Sequence, residues 1–154
     1  MQKLKINDII KRIERQETFD ATAFDNSFRI KITKYVPYCC TAIHDGSNFR
    51  EQLKKKISLD EFQRWFEEDP HTGEFITAMP ITISGLDSRF EYDLNRRSED
   101  CIYEEAWGNK VWKRPLTPTE RQASKQKHFN FYKVVHAIIS KLEELYGSCV
   151  VYDL

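Results

Sequence analysis

The stretch Thr117-Pro118-Thr119-Glu120, read on to Tyr146-Gly147-Ser148-Cys149-Val150-Val151-Tyr152-Asp153-Leu154, decides the fold class. Thr117 and Glu120 have the spacing of a capping box. Pro118 stands at the first helical position, where its missing N–H would have no partner anyway. Phe131, Val134, Val135, Ile138, Ile139, Leu142 and Leu145 then recur at helical spacing. The pattern predicts a helix from about Pro118 to Tyr146, closed by Gly147 as its cap. Cys149 to Leu154 follows at once and reads as a buried strand. Strands alternating with helices, the last reached through a long helix, argue for a layered α/β domain.

The segments upstream fit that class. Ile6, Ile9, Ile10 and Ile13 among Lys and Arg predict an amphipathic helix of about three turns. Phe19 to Ile32 holds two alternating runs broken by Asp25-Asn26-Ser27, a hairpin pattern. Tyr35 to Ile43 reads as a buried strand ending at His44-Asp45-Gly46, where the glycine permits a tight turn. Phe49 to Ile57 reads as a basic helix or loop. Ser58 and Glu61 form another capping-box pattern, with a helix to about Glu68 limited by Pro70. Phe75 to Met79, Ile81 to Ser84 and Phe90 to Leu94 read as short strands. Residues 98 to 116 form a connection carrying Trp107 and Trp112.

A length of 154 residues suits one domain over residues 1–154. Lys+Arg and Asp+Glu are both 24, so charge supports neither a nucleic-acid nor an anionic-membrane partner. No apolar run of about 18 residues predicts a membrane span, and charge enters the N-terminus too early for a signal peptide. Cys39, Cys40, Cys101 and Cys149 include no C-x-x-C pair. They read as free thiols in a reducing cytoplasm.

Side chains suited to chemistry cluster at four places. His44 follows a strand, where open α/β sheets place ligand-binding groups, and a neutral imidazole there suits zinc; a histidine bonded to loop backbone is the competing reading. Glu67, Glu68 and Asp69 crowd a helix end, against the helix dipole, and a cation or simple solvation would offset that. Arg89, Asp93, Asn95 and Arg96 surround a short apolar alternation. Guanidinium forks there suit a planar carboxylate, and the same residues also fit a structural ion-pair network. His128, Tyr132 and His136 form a stripe on the long helix. The two histidines lie about 12 Å apart along the axis, too far for one metal, which leaves a substrate contact or a buried structural role.

Taken in order, Ala42-Ile43-His44-Asp45-Gly46, Glu67-Glu68-Asp69-Pro70-His71-Thr72, Asp87 to Arg96 and Val150-Val151-Tyr152-Asp153-Leu154 resemble the N-formylglutamate amidohydrolase family of bacteria. The likeness spans nearly the whole chain, and its specific part is the Arg…Asp-x-Asn-Arg block. It implies a three-layer phosphorylase/hydrolase-like domain with a mixed sheet, similar to zinc carboxypeptidases and aspartoacylases. It implies hydrolysis of an N-formyl or N-acyl amino acid with zinc, or another divalent metal, as cofactor. Carried over, His44 and a carboxylate among Glu67, Glu68 and Asp69, with Glu68 favoured, are metal ligands. Arg89 polarises the scissile carbonyl, and Asn95 and Arg96 grip the substrate carboxylate. Of the long-helix stripe, His128 is the residue expected to contact substrate. In the family the last strand motif continues into His-Ser, and that histidine looks like a third ligand. The resemblance therefore implies a C-terminally truncated domain, inactive alone, with an exposed strand edge open to self-association. A carboxylate-binding or interaction module that has lost its chemistry is the alternative.

Overall fold

The computed structural model describes residues 2–154. In chain order the elements are β1 (Gln2–Leu4), α1 (Ile6–Glu14), β2 (Phe19–Ala23), β3 (Phe28–Ile32), β4 (Tyr38–Ala42), α2 (Glu51–Lys54), α3 (Glu61–Trp65), α4 (Thr72–Phe75), β5 (Ile81–Gly85), β6 (Glu105–Ala106), β7 (Asn109–Lys110), α5 (Pro118–Tyr146) and β8 (Val150–Asp153). Six strands make one sheet in the order β1-β2-β3-β5-β4-β8, and β6 and β7 form a separate hairpin. β2, β3 and β5 pair antiparallel, while β5, β4 and β8 run parallel. The sheet is therefore mixed, and the chain is an α/β domain.

The pairing register sorts the side chains. Ala21, Ile30, Ile83 and Thr41 align across four strands and share a face. That face, with Phe28, Ile32, Ile81 and Cys39, packs in one cluster with Ile9 and Ile13 of α1 and Phe131, Val134, Ile138 and Leu142 of α5. Phe28 and Phe131 meet edge-to-face at 5.7 Å. Each buried aliphatic chain contributes roughly 1.5–3 kcal/mol, so this layer dominates the stability. On the opposite face Cys40 and Ala42 pack with Ile76, just beyond α4, in a small cluster of their own.

The long helix matches its sequence pattern at both ends. Thr117 and Glu120 close the capping box, and Gly147 ends the helix at φ +79°, a conformation that only glycine adopts freely. The hairpin between β2 and β3 also forms, with Asn26 at φ +57° in its turn. Four expectations fail. The capping box near Ser58 is shifted by two residues: Asp60 and Gln63 make it, and α3 ends at Trp65 rather than Glu68. Phe75 to Met79 is not a strand; the chain forms α4 and turns there. Phe90 to Leu94 is an irregular loop, buried at every position rather than on alternate sides. β8 forms but is exposed along its whole length. The four cysteines are free, with Cys39, Cys40 and Cys101 buried. Among the described residues no helix is long and apolar enough to cross a membrane.

Candidate functional site

β4 and β5 run parallel, and the loops at their carboxyl ends lie side by side. Asn48 and Asp87 bridge these loops in parallel register beyond the strands. Gly46 is needed for this approach: a Cβ there would sit 2.1 Å from the Leu86 carbonyl carbon. The glycine of His44-Asp45-Gly46 thus serves close packing of two backbones. It brings His44, at the end of one strand, against the Asp87–Arg97 loop that follows the other.

Asp93 organises the site. It is fully buried. Its Oδ1 lies 2.8 Å from His44 Nε2 and accepts the Asn95 N–H at 2.7 Å. Its Oδ2 accepts from Arg89 Nη2 at 3.0 Å and from the Tyr103 hydroxyl. Burial would raise the carboxyl pKa, but the bonds from His44 and Tyr103, the charge of His44 and the Asn95 N–H outweigh it and hold the group ionised, well below the usual range. An ionised acceptor at Nε2 fixes a proton there and turns Nδ1 the other way. On that side stands Asp69, with Oδ2 3.3 Å from Nδ1 and half exposed.

The second carboxylate at His44 is thus Asp69, not Glu68. Glu68 is buried and turned away, accepting from the Ser88 hydroxyl and from Arg64 Nη1 at 3.2 Å. The His44–Asp69 pair fits two positions around a divalent ion. Ligands about 2.0–2.1 Å from a tetrahedral zinc stand about 3.3 Å apart, which is the separation here. An imidazole whose other nitrogen is fastened to a carboxylate is also the usual arrangement behind a metal-ligating histidine. Among the described residues no group of three or more His, Cys, Asp or Glu is placed to hold a metal.

Arg89 is brought to the site but committed to it structurally. Nη1 donates to the Glu67 carbonyl at 2.9 Å and lies 3.6 Å from Asp69 Oδ2, while Nη2 holds Asp93. The Trp107 ring, 5.2 Å away, covers the guanidinium face. Nε is buried with no hydrogen-bond partner among the described residues. Asn95 and Arg96 are exposed on the same loop, with Arg96 Nε 3.4 Å from the Tyr103 hydroxyl. His128 lies behind this loop: Nε2 donates to the Arg96 carbonyl at 2.9 Å, and the Tyr132 hydroxyl donates to the Leu94 carbonyl. Its polar partner is backbone, so it holds the Arg96 loop from α5. His136 is exposed on the same helix.

A second buried charge group braces the loop. Glu91 accepts from the Arg50 backbone N–H at 2.8 Å and from its Nε at 2.6 Å. Asp87 accepts from Tyr92 at 2.7 Å and Lys127 at 2.9 Å. Burial pushes the Asp87 carboxyl up to about 6, against the pull of Lys127. Tyr103 and Trp107 join the site from the 98–116 connection, where aromatic content is the only sequence signal that marks them.

Compared with protein-family models, with curated proteins and with solved structures, the chain matches none.

Proposed function

We propose that this chain carries the site of a zinc-dependent amidohydrolase of the N-formylglutamate type, acting on an N-formyl or N-acyl amino acid. One observation carries the reading: His44, fastened through Nε2 to Asp93, faces Asp69 across 3.3 Å with its other nitrogen. His44 and Asp69 would hold zinc, or another divalent ion, which would acidify water toward a pKa of about 7 and polarise the scissile carbonyl. Asp93 keeps His44 in the ligating tautomer. Arg96 and Asn95 bind the substrate carboxylate from solvent, at a loop held from behind by His128 and Tyr132. Arg89 polarises the carbonyl only after releasing one of its present partners; as placed, it orients Asp69 and Asp93. The reading brings with it a three-layer hydrolase-type architecture, and the buried free thiols support a cytoplasmic setting.

A second reading is favoured by the donor count. With two metal donors brought together among the described residues, the clamp could bind carboxylates without chemistry.

Zinc titration calorimetry with N-formyl-amino-acid hydrolysis separates the readings. The amidohydrolase reading expects weak zinc binding by the 154-residue chain, weakened about tenfold or more by His44→Asn or Asp69→Asn and little changed by Glu68→Gln. It expects no hydrolysis above buffer, because catalytic zinc uses three protein ligands and two are brought together among the described residues. Zinc binding indifferent to both His44→Asn and Asp69→Asn would overturn the metal site. Zinc-dependent deformylation by this chain would overturn its expected inactivity. N-acyl amino acid binding that needs Arg96 but is unaffected by zinc would establish the second reading.

A further inference from the structure

β8 ends the sheet, paired with β4 on one side only. Its side chains are bare on both faces: Val150 is 50% exposed, Val151 40%, Tyr152 56%, and the adjoining Leu154 47%. Val150 N donates to the Pro37 carbonyl and Leu154 N to the Thr41 carbonyl. The backbone groups of Val151 and Asp153 therefore point to the open edge. The opposite edge, β1, is three residues long and carries Lys3. Short length and lysine are the usual defences against edge pairing, and Ser148 to Leu154 has no lysine, arginine or proline. Beside Tyr152 a cavity of about 590 Å³ opens between the strand and α4, lined by Tyr38, Cys40, Phe75, Ile76 and Met79.

A row of unpaired N–H and C=O groups selects a β-strand as its occupant. The side chains select which strand, because this edge complements itself. Set two copies antiparallel about a two-fold axis through Tyr152. Tyr152 then faces Tyr152 of the second copy, Val150 faces Leu154, and Val151 faces Asp153. Every outward backbone group of Val151 and Asp153 finds a partner. No like charges oppose, and Asp153 is already drawn to the Thr41 hydroxyl. Centring the pair on Asp153 would oppose two carboxylates, and centring it on Val151 would leave Leu154 unmatched. We propose that β8 is a homodimer interface in this register, joining the two six-stranded sheets. The proposal does not depend on the metal site.

The test is sedimentation and light scattering of the full chain across a concentration series, with variants on the exposed strand. The wild type should dimerise reversibly. Tyr152→Lys sets two lysines opposite each other and should raise the dimer dissociation constant about tenfold or more, with unchanged circular dichroism. Facing residues at a non-hydrogen-bonded antiparallel position have Cα atoms about 4.5 Å apart, within disulfide range. Tyr152→Cys should therefore oxidise to a covalent dimer, and Val151→Cys, which faces Asp153, should not. A monomer at the highest soluble concentration, an open-ended assembly, or a dimer indifferent to Tyr152→Lys would each overturn the proposal; the first would leave the edge to a strand of another protein.

Discussion

Asp93 shows how one buried carboxylate fixes a loop that has no regular secondary structure. It accepts from His44, Arg89, Tyr103 and the Asn95 backbone, so the loop's shape depends on its charge. Replacing it with asparagine removes the buried carboxylate partner of Arg89, leaving only the half-exposed Asp69, and should cost about 3 kcal/mol at pH 7. The pH dependence has a definite sign. The folded carboxyl pKa is depressed below the ordinary 3.8, so its contribution is complete above that value and is lost as pH falls toward the folded pKa. Urea unfolding at pH 7 and pH 3 should show the gap between wild type and Asp93→Asn narrowing at the lower pH. Asp87 should behave oppositely. Its carboxyl, raised to about 6 chiefly by burial, favours folding when protonated, so its contribution falls as pH rises from about 4 to 6. A gap for Asp93→Asn that is constant with pH would refute the ionised, load-carrying Asp93. In the sequence, the alternation of Phe90, Tyr92 and Leu94 pointed to a half-buried strand. Glu91 and Asp93 are buried as well, Glu91 against Arg50 and Asp93 against His44, and no local pattern encodes partners more than forty residues away; only the Arg89–Asp93 pair is local.

At the level of elements, legibility follows how local the deciding chemistry is. α5 is legible because both its caps lie within three residues of its ends. Removing the N-terminal cap by Thr117→Ala should cost about 1 kcal/mol. Gly147→Ala, forced to φ +79°, should cost roughly 1–2 kcal/mol. Both changes should appear in thermal unfolding with the helix signal and the near-ultraviolet signal moving together, since α5, with 29 residues against 9 in α1, supplies most of the helical layer. A stability loss within error for both would mean that packing alone sets the helix ends. The 58–79 region is illegible for the converse reason. Ser58-x-x-Glu61 and Asp60-x-x-Gln63 satisfy the same local rule. Ser58 is taken out of competition by distant chain: its N–H donates to the Val111 carbonyl, and Ile57 bridges Trp112. Helix start is thereby passed to Asp60. In α4 the apolar Phe75 is exposed, and the adjoining Ile76 alone is buried, so composition suggested a strand where one anchor holds a turn of helix.

Across the whole molecule, burial is uneven, and the site lies on the boundary. The α1/α5 layer and the central strands share one large cluster, whereas α3 and α4 bury no residue of their own. The α/β class was readable from the long helix and its neighbouring strands. The exposure of β8 was not, because Val150, Val151 and Tyr152 have core composition and burial depends on what lies beside them. Local stability should follow this division. Amide hydrogen exchange should be slowest at Ile30, Ile83 and Thr41, where four strands align under α5. It should be fastest through residues 60–79, which carry Asp69 to the site. His44 would then keep a rigid bond to Asp93 while its other neighbour opens and closes on a much lower barrier. In dilute protein the outward amides of Val151 and Asp153 should exchange freely, while those of Val150 and Leu154, bonded toward β4, are protected. Raising the concentration should protect Val151 and Asp153 and leave 60–70 unchanged, since dimerisation covers the edge and not α3. Uniform protection across the chain at every concentration would show instead that the molecule opens only as a unit, and that the Asp69 segment is as fixed as the sheet it borders.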